Sequence, residues 1–172
     1  MSTSINVAVQ KKQPDGTYAN MYLKPEWHYY GLFAWLANVR NSEHQIVPLS
    51  MPRGFPEDIK DEIKQEEEEL KELPPLRPHW NKPGDDVGRA IFGGSYYDTY
   101  GLSWYSIEEL LSVDYDQLVE DRQNYNPTSL VSSLPEGCGK KIPLRDFIGK
   151  TFINDLQSFK EAGADRILFC FD

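Results

Sequence analysis

The run Ile167-Leu168-Phe169-Cys170-Phe171 limits the possible folds more than any other stretch of the chain. Five consecutive apolar residues rich in aromatic and β-branched side chains read as a strand in a buried position of a sheet. Another strand of the same sheet is expected at the other end of the sequence, where Ile5, Val7 and Val9 alternate with Asn6, Ala8 and Gln10. Pro14-Asp15-Gly16-Thr17 follows, and its Asp-Gly pair suits the positive φ of a tight hairpin, so Tyr18 to Tyr22 is expected to return as a second strand.

Helical spacing takes over from Tyr29. Leu32, Phe33, Leu36 and Val39 fall on one stripe, widened by Trp35, which predicts an amphipathic helix over residues 29–41 packed on the sheet. Pro48, Pro52, Gly54 and Pro56 then keep the backbone irregular. Pro56 with Glu57 and Asp58 is a good helix start, and the acidic stretch to Glu72 predicts a surface helix over about 57–72 that Leu73-Pro74-Pro75 terminates. With Pro74, Pro75, Pro78 and Pro83 among several glycines, residues 73–95 read as a long irregular loop. Ser106-Ile107-Glu108-Glu109 is a capping box that opens a short helix. Residues 121–143 are polar and turn-rich, and Leu144, Phe147, Ile148, Phe152, Leu156 and Phe159 mark one more helix ending near Gly163. Together these elements predict an α+β fold: a small, mainly antiparallel sheet from the N-terminal hairpin and the C-terminal strand, packed by three to four helices, in one domain spanning residues 1–172.

Charge and composition narrow the chemistry. The formal charge is −9, but residues 57–72 hold nine acids against three lysines, a net −6, so the remaining surface is nearly balanced. An extended basic footprint for nucleic acid is absent, and direct nucleic-acid binding is not expected. No run approaches the 18 apolar residues of a membrane span, and the first residues lack a basic and apolar leader, which predicts a cytoplasmic protein without a membrane partner. Cys138 and Cys170 are too few for a disulfide framework.

Aromatic side chains are abundant, 22 in 172 residues, whereas His is limited to three and Cys to two. His28, His44 and His79 have no acid at a metal-binding helical spacing and read as satisfied structural or surface histidines, so neither a metal nor a cofactor is expected. Ser103 lacks the Gly-x-Ser-x-Gly setting of a nucleophile. Gly137-Cys138-Gly139-Lys140-Lys141 departs from the phosphate-loop spacing and reads as a solvated turn. Arg40, Arg53 and Arg89 lie in or beside loops with few other charges, and guanidinium groups suit bidentate contact with anions and stacking on rings. With Tyr97, Tyr100 and Trp104, and with Asp98 and Ser103 between them, they form the candidate ligand-binding set.

Several stretches resemble a family of small phage and prophage proteins that commonly begin Met-Gly-Cys-Asp-Ile-His. They are Tyr30-Gly31-Leu32-Phe33-Ala34-Trp35-Leu36-Ala37-Asn38-Val39-Arg40-Asn41, Pro52-Arg53-Gly54-Phe55-Pro56-Glu57-Asp58, Ser103-Trp104-Tyr105-Ser106-Ile107-Glu108-Glu109-Leu110-Leu111 and Arg166-Ile167-Leu168-Phe169-Cys170-Phe171-Asp172. The family's early Cys, Asp and His are replaced here by Thr3, Ser4 and Asn6, and its Asp-x-His by Asp98 and Tyr100. Both histidine-bearing motifs are lost, a change that binding tolerates better than acid–base catalysis. The resemblance implies a phage-type protein, and analogy with small phage proteins that act against host immunity supplies the functional expectation. The expected function is non-catalytic capture of an anionic, nucleotide-like small molecule, in a site that a second copy of the chain commonly completes. Two alternatives stand beside it: an acidic inhibitor or DNA mimic that blocks a host defence protein through residues 57–72, and a nucleotide hydrolase using Asp98 or Asp114.

Overall fold

The computed structural model describes residues 2–73, 82–94 and 96–172, with Tyr97 described by its backbone alone. Strands β1 (Ile5–Lys12) and β2 (Tyr18–Asn20) form the hairpin, followed by helix α1 (Tyr30–Ala37). A 3-10 turn at Glu57–Ile59 leads into α2 (Lys60–Glu72), and α3 (Asp85–Phe92) comes next. Strand β3 (Tyr100–Ser106) runs directly into α4 (Ile107–Leu111). Strands β4 (Leu118–Asp121) and β5 (Lys140–Pro143), helices α5 (Leu144–Ile148) and α6 (Lys150–Glu161), and strand β6 (Arg166–Phe171) complete the fold. The class is α+β: a four-stranded antiparallel sheet ordered β2-β1-β6-β3, a separate β4-β5 pair, and six α-helices among the described residues. None of these helices is long and apolar enough to cross a membrane.

The apolar run became the inner strand, as its composition demands. Every residue of β6 is buried between β1, where Val9 faces Ile167, and β3, where Tyr105 faces Ile167 from the other side. On one face of the sheet Val9, Tyr105, Ile167, Phe169 and Phe171 pack against α1, α5 and α6. Phe33 meets Phe171 edge-on at 5.2 Å between ring centres, and Trp35 meets Phe152 at 6.0 Å. On the other face lie Ala8, Leu168 and Cys170, with α3 packed on β1, and burial pushes the Cys170 thiol up to about 12. At Gly16, φ is +88°, and Asp15 accepts from Thr17 N at 2.9 Å, so the hairpin turn forms as expected.

Several expectations need correction. The described residues hold six α-helices rather than three to four, and the returning strand expected over Tyr18 to Tyr22 stops at Asn20. The helix expected over 29–41 stops at Ala37, because Asn38 adopts the left-handed conformation (φ 57°) and returns its N–H to Ala34 O at 2.9 Å. It is buried from Gly31 to Ala37 rather than along one stripe. Within the expected irregular loop 73–95, residues 74–81 and 95 lie outside the described residues, but 85–92 are the helix α3. Its N-cap, Gly84, has no side chain to cap with, and Glu66 of α2 supplies the missing acceptor by taking Asp86 N at 2.8 Å. Glu66 is therefore buried, not part of a solvated acidic face, and burial raises its carboxyl above the ordinary range. Finally, the single helix expected from Leu144 is two, α5 and α6, divided at Gly149 with φ +84°.

Candidate functional site

The expected ligand residues gather in separate groups along β3. At its start, the sheet ends where β1 begins and β6 finishes, and three side chains meet around Thr3. Arg40 Nε donates to Thr3 Oγ1 at 2.7 Å, the Tyr100 hydroxyl lies 3.3 Å from the same oxygen, and Thr3 N donates to the Tyr30 hydroxyl at 3.2 Å. The Arg40 guanidinium stands 5.4 Å from the Tyr30 ring centre. Tyr30 and Tyr100 remain 37% and 48% exposed, so both rings offer surface to an incoming molecule. Arg40 itself adopts a left-handed backbone (φ 57°), a conformation that costs energy for a residue with a Cβ and recurs at binding sites. Beside this group Ser4 and Asn6 both donate to the Asp172 carboxylate, which those hydrogen bonds, Ser4's foremost, hold below its ordinary range.

Four residues further along β3, a strand rise of roughly 13 Å, Arg53 forms the second group. Its guanidinium grips Glu109 in a bidentate pair at 2.9 and 2.5 Å and stacks on Tyr105 at 4.2 Å and near Trp104 at 5.7 Å. Its backbone N donates to the buried Ser103 hydroxyl at 3.1 Å, and Gly54 N donates to Leu102 O at 2.8 Å, which lays the 53–54 segment along the outer edge of β3. Here the guanidinium already has its carboxylate, and Ser103 is a buried acceptor, so the group ties a loop to the sheet. Ser106 Oγ accepts Glu109 N at 3.0 Å, so the expected N-cap forms, while the Glu109 carboxylate is held by Arg53. The Arg53 hydrogen bond is the main reason the Glu109 carboxyl lies below its ordinary range. The pair thus stabilises the fold above the ordinary carboxylate pKa and loses that contribution as pH falls through the lowered one. The variant Glu109→Gln is expected to be less stable at neutral pH and to approach the parent in acid, measured by urea midpoints between pH 7 and pH 3. Equal differences at both ends would exclude the pair as their source.

Arg89 lies on α3, paired with Asp86 one turn before it, and thus belongs to neither group. Asp98 is exposed in the 3-10 turn Tyr96–Asp98, and the Tyr97 side chain lies outside the described residues. Asp114 is exposed and accepts Asp116 N at 3.0 Å within its own turn. The glycine-lysine stretch forms the turn into β5, where Gly139 N donates to the Glu120 carboxylate at 2.8 Å and Lys140 and Lys141 are exposed strand residues. It is a solvated turn, as expected from its spacing.

One buried polar group escaped the sequence reading. His44 Nδ1 lies 2.9 Å from Asp121 Oδ1, both residues are buried, and the Asp121 carboxylate also receives Tyr125 hydroxyl at 2.9 Å and Gln123 N at 3.0 Å. Phe147 closes on the imidazole edge-on at 5.2 Å. His44 fits the structural role expected for the histidines, and its partner, 77 positions away, gives no local signal. His79 lies outside the described residues. No family model, curated protein or solved structure matches the chain.

Proposed function

We propose that the protein captures an anionic, ring-bearing small molecule of the nucleotide class at the Thr3–Tyr30–Arg40–Tyr100 end of the sheet. The observation that carries this reading is the arrangement around Thr3: one guanidinium held in place by a hydroxyl, flanked by two half-exposed phenol rings. Rings of this kind take the flat face of a base, and the guanidinium takes its phosphate. The groups gathered there are alcohols, phenols and a guanidinium, which recognise a ligand rather than transfer protons near neutral pH. In the phage setting implied by the resemblance, withdrawing a nucleotide signal from a host defence system is the role assigned to such capture.

A thermal-shift screen with cyclic dinucleotides and ADP-ribose derivatives tests it. A ligand at about 100 times its dissociation constant stabilises the native state by roughly 2.7 kcal/mol. Arg40→Ala is expected to weaken that ligand about 10- to 100-fold in calorimetry, the loss of one charge-assisted contact. Recovery of unchanged ligand by chromatography distinguishes capture from hydrolysis. A screen without any shift, or an Arg40→Ala variant that binds like the parent, overturns the reading.

A further inference from the structure

A hollow lies away from the sheet end, beside the loop that follows β4. Residues 122–134 form a closed structure: Leu134 N donates to Arg122 O at 2.7 Å, Gln123 bridges to Ser133, and Asn124 N donates to Ser132 O at 2.9 Å. Inside it, the Asn124 amide holds Ser129 Oγ at 2.8 Å and Val131 O at 2.9 Å, so the loop is braced by its own side chains. It borders a hollow of about 510 Å³ lined by Arg122, Ser129, Val131, Ser133 and Leu134.

Arg122 differs from the arginines around it. Arg53 is paired with Glu109, Arg89 with Asp86, Arg145 with Asp116 and Arg166 with Asp58. Among the described residues Arg122 has no carboxylate partner. Its Nε donates to Leu134 O at 2.7 Å, which fixes the plane of the guanidinium while leaving both terminal nitrogens without an acceptor among those residues. Ser133, on the same hollow, keeps a hydroxyl that makes no hydrogen bond among them either. A charged fork and a free hydroxyl on one concave wall match a tetrahedral oxyanion, which accepts from several donors at once.

We infer that this hollow is a phosphate-binding site, with Arg122 as the bidentate donor and Ser133 as the third contact. It is independent of the capture site proposed above, because none of the residues around Thr3 lines it. The test follows the Arg122 Nε–Hε signal by nitrogen-15 NMR of the full chain during titration with inorganic phosphate, against sodium chloride and sodium acetate at matched ionic strength. A saturable shift specific to phosphate is expected, unchanged in Arg40→Ala. Arg122→Lys loses the fork while keeping the charge, and Ser133→Asp places a competing carboxylate in the hollow. Phosphate binding, read in these variants from the backbone amides of the loop, is expected to weaken about tenfold or more in each. Chloride or acetate giving the same shift as phosphate, or both variants binding phosphate like the parent, overturns the assignment.

Discussion

Phe169→Ala is expected to cost about 3–5 kcal/mol of unfolding free energy, the range for emptying an aromatic position in a closed core. The side chain is fully buried at the middle of β6, stacked against Tyr105 at 6.0 Å and edge-on to Phe171 at 5.8 Å. Because β6 is hydrogen-bonded on both sides, neither neighbouring strand can move in to close the void without breaking its own pairing. Against a typical total of about 5–15 kcal/mol, this is a large share, equivalent to a melting temperature lower by about 10 °C or more. Urea unfolding followed by circular dichroism measures it. A loss below about 1 kcal/mol would mean that Phe169 does not sit in the core described.

Arg166→Ala is expected to cost about 3 kcal/mol, for a different reason. Only 4% exposed, Arg166 gives Nη1 to Asp58 at 2.7 Å and Nε to Gln10 Oε1 at 2.8 Å, with its guanidinium 3.5 Å from the Tyr18 ring centre. The network continues: Gln10 Nε2 donates to Asn20 at 2.9 Å, and Asn20 Nδ2 to Ile91 O at 2.9 Å. One side chain therefore joins the turn before α2, three strands and α3. Removing it strands the buried Gln10 oxygen without its donor and discards the stacking on Tyr18. Arg166→Lys is expected to recover only part of the loss, since an ammonium cannot serve Asp58 and Gln10 with a rigid fork. If Arg166→Ala unfolds within about 0.5 kcal/mol of the parent in urea, the network contributes no more than an ordinary surface contact.

The parts of this fold that were readable in the sequence are those whose physics is local. The alternation of Ile5, Val7 and Val9, the Asp15-Gly16 turn, the apolar run of β6 and the Ser106 cap each announce themselves within a few residues, and each forms. What stayed hidden depends on partners elsewhere. Strand β3 is rich in hydroxyls and rings that looked like ligand groups, yet Ser103 and Tyr105 point inward with their polar atoms satisfied by Arg53 N, Ser50 and Leu36 O. A register shift between Tyr100 and Ser103, at Gly101 with φ +65°, further breaks the period of two. Helix α3 carries a glycine in its middle because the Tyr96 ring lies where a Gly88 Cβ would stand, and its first turn is capped by Glu66 from another helix. Composition alone says neither. In the candidate site, Arg40 and Tyr100 were visible as residue types, but Thr3, the hydroxyl that joins them, is 37 positions from one and 97 from the other. Arg122 gives no signal in the sequence, because what marks it, a guanidinium with no carboxylate partner among the described residues, is set by the fold.

The seating of β6 between β1 and β3 also sets a clock on biogenesis. Gln10 and Arg166 are 156 positions apart, so on a ribosome adding about 5–20 residues each second, the first hairpin waits roughly 8–30 s for the strand that completes its pairing. Through that interval the flank of β1 that β6 will occupy stays open to any other extended segment within reach. Faster translation, or a chaperone's shelter, shortens or guards the time in which that vacancy can take the wrong occupant.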